Sequence, residues 1–460
     1  MIIAPNKRIG IWGFGVVGKA ATRYFLEQGY HVNIMDKRKP TADEELYLKQ
    51  NNIQWYDQEE QETFFYSHDH IIPSPGINID HMRYATYQDK WLPELDFFHN
   101  TFHKPIIAIT GSIGKTSTTY LLGQLYKALN IPVTVGGNIG IATFSLISEQ
   151  KNVDCAIIEV SSFQLNYCTT FAPTLAIWTN FYPNHLDHHA TETEYFLAKQ
   201  NILAYQKNNH IALVPFALRN QLLSIDHQKR CYFNATLPHI NQLDALNHNE
   251  HLYYIKDGMV MHYNNKTHTF LLSLTPTLCN LSFIENILIL AAACDILALP
   301  HNALHDVAAT ALLPAHRMEK IGSINSIHFY NDSKATTTAS TFAAVTKLNN
   351  HPLHLFLGGL SKGVDRAPFI AQLKSYVKHI YCFGKEADAL HAMCTTHVIP
   401  SSSHVSLDSA VHECLIKLQP HDYVLLSPAG SSYDLYENYE KRGEHFKKLI
   451  MHYIKNHSSP

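Results

Sequence analysis

The sequence predicts an α/β protein of three domains in tandem. Three observations lead there. Short apolar, β-branched runs alternate with stretches of helical length along most of the chain, the pattern of strand–helix–strand crossovers onto parallel sheets. Two Gly-rich turns, Gly13–Gly18 and Gly111–Gly114, each lie between such a run and a helical stretch. The chain has 460 residues, too many for one ordinary domain, and its 46% hydrophobic and 16% charged residues can fill several cores.

The first unit, placed at residues 1–103, opens with Arg8–Trp12 as a strand, Val16–Gln28 as a helix and His31–Met35 as a second strand. His70–Ser74 is a further strand closed by the turn signal Pro73-Ser74-Pro75-Gly76. The second unit, residues 104–313, begins with the buried run Pro105–Thr110, then a helix over Lys115–Leu129 and two more buried runs, Cys155–Val160 and Thr174–Thr179. A helix follows at Glu192–Tyr205. Between Cys231 and Leu274 the period shifts toward two, with Asp257-Gly258 and Asn264-Asn265 as turns, which predicts antiparallel hairpins appended to the parallel sheet. Phe283–Leu297 is apolar and long enough for a buried helix. The third unit, residues 314–460, shows strands at His328–Tyr330, His354–Leu357, Ile380–Phe383 and Val424–Leu426, and a last helix over about Leu435–Ile454.

Composition narrows the function classes. Lys plus Arg is 36 against 39 Asp plus Glu, a net charge of −3, without the basic excess of a nucleic-acid binder. No apolar run is long enough to span a bilayer and no leader-like segment opens the chain, so a cytoplasmic protein is expected. The eight cysteines form no CxxC pair and read as reduced, buried thiols. The 31 histidines are mostly scattered singly.

The sharpest chemical signal is Thr110-Gly111-Ser112-Ile113-Gly114-Lys115-Thr116-Ser117. It joins a buried strand to a helix, where backbone N–H groups and the helix dipole hold phosphates. Lys115 supplies charge to the β- and γ-phosphates and Thr116 can ligate Mg²⁺. A strict P-loop has its first Gly where this chain has Ile109. Gly13-Phe14-Gly15-Val16-Val17-Gly18 fits the dinucleotide fingerprint, with Asp36 18 residues after Gly18. Alone it specifies a turn and a helix start; a dehydrogenase would leave the P-loop unexplained, whereas the pyrophosphate of a UDP-linked substrate suits the turn at Gly15, Val16 and Val17. Glu159 ends a buried strand, where a carboxylate can hold Mg²⁺, a helix cap or a salt bridge. His185 lies past another strand end. A zinc cluster of His185, His188 and His189 is set aside because no Cys accompanies them and P-loop chemistry prefers Mg²⁺. Lys199, read from its helix alone, is a solvated surface lysine.

Taken in order, Ser74-Pro75-Gly76-Ile77, the P-loop, Gly136–Gly140, Glu159–Leu165, His185-Leu186-Asp187, Leu313–Arg317, Asn331–Thr336, Gly358-Gly359 with Lys362, Leu426–Asp434 and Lys441-Arg442-Gly443 resemble the Mur ligase family over essentially the whole chain. The closing Ser-Pro-Ala segment and the Rossmann-like first unit are most similar to its D-glutamate-adding branch. The resemblance implies a Rossmann-like UDP-binding domain, a central ATP-binding domain and a C-terminal Rossmann-like domain for the amino acid. It implies ATP-dependent addition of D-glutamate to UDP-N-acetylmuramoyl-L-alanine, through an acyl phosphate, in peptidoglycan precursor synthesis. Asp36 and Arg38 would lie near the base, Ser74 and Gly76 near the phosphates, and Asn138 and Ser161 on the muropeptide side. Asn286, Arg317 and Asp332 would hold adenine and ribose. Lys334, Thr336, Lys362, Ser432 and Tyr439 would hold D-glutamate, with Lys334 also catalytic. Two Mg²⁺ ions would be met by Thr116, Glu159, His185 and a carbamate on Lys199. The resemblance also implies a monomer acting on small molecules, with no nucleic-acid or membrane partner. Val17, Ile113, Asn184 and Phe283 depart from the family pattern. Another amino-acid ligase of the family, or a nucleotide-binding paralogue without turnover, are the alternative readings.

Overall fold

The computed structural model describes residues 3–457 except 5, 78, 80–83, 187, 226–228, 312 and 313. Asp187 and Leu313, which belong to two of the motif segments, lie outside the described residues. The chain forms two compact units, Met1–Phe181 with Thr193–Ala311, and Tyr182–Glu192 with Leu312–Pro460.

The first unit holds two sheets. The first is four-stranded and parallel, in the order β3-β2-β1-β4, with β1 Arg8–Trp12, β2 His31–Met35, β3 Trp55–Tyr56 and β4 His70–Pro73. Ile9, Ile11, Ile34 and Ile72 alternate into its core, as a period of two requires. The second sheet has nine strands: β5 Ile106–Thr110, β6 Val133–Gly137, β7 Cys155–Glu159, β8 Leu175–Trp178, β9 Ile211–Pro215, β10 Lys229–Asn234, β11 His251–Lys256, β12 Met259–Asn264 and β13 Thr267–Ser273. Their order is β13-β12-β11-β10-β9-β8-β5-β7-β6. Every residue of β5, β7 and β8 is buried, which explains their unbroken apolar runs. Tyr24, Phe25, Phe97 and Phe144 pack between the two sheets, with Phe97 and Phe144 stacked at 5.4 Å.

The predicted hairpins are partly corrected. The turns at Asp257-Gly258 and Asn264-Asn265 do join antiparallel strands β11, β12 and β13. However, β10 runs parallel to both β9 and β11. The segments before and after β10 are long enough for crossovers rather than hairpins, so the antiparallel part starts one strand later and continues the main sheet.

The second unit carries a six-stranded sheet, β14-β15-β19-β16-β17-β18, with β14 Glu319–Ile324, β15 Ile327–Asn331, β16 Leu353–Gly358, β17 His379–Phe383, β18 Ser401–His404 and β19 Tyr423–Leu426. All pairings are parallel except β14 with β15. The last helix is Tyr439–His457, starting later than Leu435. Asn438 sets the start: its side-chain oxygen accepts the Lys441 N–H at 2.8 Å, an N-cap bond. Among the described residues no helix is long and apolar enough to cross a membrane.

Candidate functional site

In the first unit, the turn after β5 is shaped so that only glycine fits. Gly111 and Gly114 have φ of +144° and +82°, and a Cβ on them would lie 1.9 Å from Thr179 Oγ1 and 2.4 Å from Asn286 Oδ1. The loop after β8 latches the turn. Asn180 Oδ1 accepts the Ile113 N–H at 2.8 Å, and the Ile113 carbonyl accepts from Thr179 Oγ1 and Asn180 Nδ2 at 2.5 and 3.1 Å. Ile113 is therefore held through its backbone, which any side chain supplies. The helix Lys115–Ala128 starts here, so its first N–H groups face the turn.

Two lysine side chains converge on one carbonyl of this turn. Lys115 Nζ donates to Gly111 O at 2.7 Å and to Ser112 O at 3.3 Å, and Lys199 Nζ donates to the same Gly111 O at 2.9 Å. Lys199 is 1% exposed, which corrects the surface reading. The buried face of its helix is Tyr195, Ala198, Lys199, Ile202 and Leu203, a helical stripe with the lysine inside it. Burial, then the charge of Lys115, hold the Lys199 amine well below its ordinary range, opposed by Glu159. The Tyr195 ring lies 4.6 Å from Lys199 Nζ, and its hydroxyl is 3.2 Å from Ser112 Oγ. Sequence reasoning missed Thr179, Asn180 and Tyr195.

Beside the turn, Glu159 at the end of β7 is buried. One carboxylate oxygen accepts Thr116 Oγ1–H at 2.7 Å, the other Asn138 Nδ2–H at 2.9 Å. Thr116, Glu159 and Asn138 thus stand together. Ser161 caps the short helix Ser162–Leu165 by accepting the Gln164 N–H. Ser117 and Asn286 are buried, and Asn286 packs behind the turn, donating to Ser282 Oγ at 2.8 Å.

The turn after β1 is built on the same plan. Gly13 has φ +94°, and a Cβ on it would lie 2.8 Å from Ser74 Oγ; a Cβ on Gly18 would lie 2.0 Å from Gly13 O. Ser74 Oγ donates to Gly13 O at 3.0 Å. Asp36 accepts the Phe14 N–H at 2.6 Å and the Arg38 N–H at 3.1 Å. Arg38 pairs with Glu44 through both terminal nitrogens, at 2.7 and 2.9 Å, and lies 5.7 Å from the Trp55 ring. Gly15 and Gly76 have open space where a Cβ would be, and Val16 is exposed, whereas Val17 packs against the core. Gly15, Val16, Asp36, Arg38 and Ser74 are gathered around one turn.

In the second unit, His185 has φ +58°, and its N–H donates to Asn184 Oδ1 at 3.0 Å. Among the described residues no group of three or more His, Cys, Asp or Glu side chains could hold a metal ion. Lys334 and Thr336 follow β15, Lys362 follows β16, and Ser432 follows β19. These are the carboxyl ends of parallel strands, where ligands collect. Lys362 Nζ donates to Thr336 Oγ1 at 3.3 Å, and Lys334 Nζ lies 5.0 Å from the Tyr439 ring. Ser432 is buried. Asp332 is also buried, accepting from Ser427 Oγ at 3.0 Å and Met318 N–H at 3.2 Å. Burial raises its carboxyl to about 7 against the pull of Arg317. Arg442, named in a motif but given no role, is fully buried and ties Ser333 to Gly430.

Comparison with known proteins adds to this geometry. Residues 7–92 match the model of the Mur ligase MurD-like N-terminal domain, 109–294 that of the Mur ligase middle domain, and 316–430 that of the Mur ligase glutamate ligase domain. The chain is 32% identical to a UDP-N-acetylmuramoylalanine–D-glutamate ligase of Desulfotalea psychrophila, over 98% of this chain and 97% of the relative. It is 29% identical to the ligase of the same name from Fervidobacterium nodosum, over 95% and 97%. The solved MurF ligase of Thermotoga maritima in complex with ADP has a similar fold, with a TM-score of 0.56 and 14% identity over 97% of this chain and 95% of that one.

Proposed function

Because the chain belongs to the Mur ligase family, we propose that it joins D-glutamate to UDP-N-acetylmuramoyl-L-alanine at the expense of ATP, in peptidoglycan precursor synthesis. The observation that carries the chemistry is the pair of lysines on the Gly111 carbonyl, next to the Thr116–Glu159 contact. That is an anion cradle with Lys115 as its cation, a buried amine on Lys199 and a carboxylate beside it, suited to a nucleotide triphosphate. The choice of amino acid is carried by the relatives, and the lysines and hydroxyls of Lys334, Thr336, Lys362 and Ser432 suit its two carboxylates.

In this reading residues 1–103 take the UDP moiety, 104–313 ATP and 314–460 the amino acid. Gly111 to Ser117 wrap the phosphates, and Lys115 neutralises charge as the L-alanine carboxylate attacks the γ-phosphate, forming an acyl phosphate and releasing ADP. The amine of D-glutamate then attacks the acyl phosphate, and phosphate leaves. No side chain serves as a covalent nucleophile; the protein orients groups and balances charge. Asn286, Arg317 and Asp332 hold adenine and ribose. Asp36, Arg38, Ser74 and Gly76 hold the uridine nucleotide, with Asn138 and Ser161 toward the muropeptide.

The donor set fits Mg²⁺, since the Thr116 hydroxyl and the Glu159 carboxylate are hard oxygen ligands already in contact. These two would hold one ion, and His185 with a carbamate on Lys199 a second; bound there, Mg²⁺ would neutralise the phosphates. The depressed Lys199 amine is neutral over more of the pH range, the form that reacts with CO₂. The enzyme would act as a cytoplasmic monomer.

Phosphate release from ATP in the presence of UDP-N-acetylmuramoyl-L-alanine, with D-glutamate, L-glutamate, L-alanine, glycine or no amino acid, tests the proposal. Release stimulated only by D-glutamate, with a matching mass gain on the nucleotide precursor, is expected. Stimulation by another amino acid would make the chain a sister ligase, and no release with any pair would make it a paralogue without turnover.

A further inference from the structure

Arg366 lies beneath the loops that follow β16 and β19, and it is 2% exposed. Its Nη2 donates to Gly359 O at 2.8 Å. Nε and Nη1 are buried, and among the described residues neither has a hydrogen-bond partner. A buried guanidinium normally has its donors and its charge matched. Here the carboxylate beside it, Glu386, stands at 3.5 Å, past good hydrogen-bond length, and is itself 31% exposed. The other oxygen of Glu386 is taken by the Ser361 N–H at 3.1 Å. Asp434 adds a further negative charge to the surroundings and Arg442 a positive one.

The position of this under-compensated cation is specific. Gly359 and Gly430 are pressed together: a Cβ on Gly359 would lie 2.2 Å from Ser431 O, and one on Gly430 would lie 2.4 Å from Gly358 O and 2.5 Å from Arg366 Nη2. Leu360 and Ser431 exchange backbone hydrogen bonds at 2.9 and 3.0 Å across the same seam. The seam belongs to the loops that present Lys362, three residues beyond Gly359, and Ser432, two beyond Gly430. Moving Arg366 would disturb both loops, and its charge acts on whatever they bind through a medium of low dielectric.

We propose that Arg366 is a positioning and specificity residue: it braces the Gly359–Gly430 seam and, with a charge only partly offset by Glu386, biases the Lys362 and Ser432 loops toward an amino acid with a second carboxylate. This rests on the reading of those loops as the D-glutamate site. Arg366 itself touches no substrate, because its unpartnered nitrogens are sealed from solvent.

The test is steady-state kinetics of the full chain with D-glutamate and with D-glutamine, in the wild type, Arg366→Met and Glu386→Gln. Arg366→Met keeps the bulk and removes the charge; KM for D-glutamate is expected to rise about tenfold, and the preference over D-glutamine to shrink, with KM for ATP and the UDP-linked substrate within about twofold. Glu386→Gln keeps an acceptor for Ser361 and removes the countercharge; it is expected to lower KM for D-glutamate about twofold. Should Arg366→Met fail to fold, the opposite-signed effect of Glu386→Gln decides by itself. Unchanged D-glutamate KM in either variant, or equal rises in all three KM values, would overturn the proposal. A wild type that does not turn over D-glutamate at all would instead overturn the assignment of the site.

Discussion

The turns after β1 and after β5 share one architecture and differ in their neighbours. Each follows a strand with parallel neighbours on both sides, opens a helix and uses a glycine with positive φ, Gly13 or Gly111, to bring backbone close to the next loop. At the first turn a carboxylate, Asp36, takes the Phe14 N–H, and Arg38 is committed to Glu44. At the second, two lysines meet one carbonyl and a carboxylate holds the Thr116 hydroxyl. In the proposed function the same strand–turn–helix unit serves as a nucleoside-diphosphate seat in one place and a triphosphate cradle in the other. On that proposal the ligand is chosen by the charges around the turn, while the turn supplies N–H groups.

The most severe way to break this comparison is Lys115→Ala, which should lower turnover about a thousandfold while leaving binding of UDP unchanged in calorimetry. Lys199→Met comes next, with a loss of about a hundredfold and an opposite effect on stability. The folded chain holds the Lys199 amine well below its ordinary range, so between that depressed pKa and the unfolded value of about 10.4 the unfolded chain binds more protons. Wild-type stability should rise with pH through that window, and the cost of burying the cation is full below it. The variant escapes that cost, so its Tm should exceed that of the wild type by a few degrees near neutral pH in CO₂-free buffer, and the gap should close as pH approaches 10. A variant that melts lower at pH 7 would contradict the burial account. Asp36→Ala is milder: KM for the UDP-linked substrate should increase about tenfold with KM for ATP unmoved. The smallest effect belongs to Thr41→Ala. Thr41 and Glu44 form a capping box at the helix Ala42–Gln50, and removing the cap should cost about 1 kcal/mol in urea unfolding without altering either KM.

Much of this was legible in the sequence because it rested on local rules. Arg8–Trp12 and His31–Met35 are strands as their apolar runs predict, and both Gly-rich turns stand where strand and helix meet. Lys199 was misread when its helix was considered apart from the turn. Its place among Tyr195, Ala198, Ile202 and Leu203 was visible as a helical stripe, and a lysine inside such a stripe is a signal. The direction of β10 was not legible because strand polarity depends on the length and path of connections rather than on its own residues. Thr179, Asn180 and Arg366 carry no motif; their roles come from pairings between segments far apart in sequence.

The central claim is that two like turns hold two different nucleotides, and calorimetric titration of the wild type, Lys115→Ala and Asp36→Ala with UDP and with Mg²⁺–ADP tests it most directly. The account predicts that UDP and ADP bind together without competing, that Lys115→Ala loses ADP alone, and that Asp36→Ala weakens UDP alone. Mutual competition between the two nucleotides, or loss of both through either substitution, would contradict it.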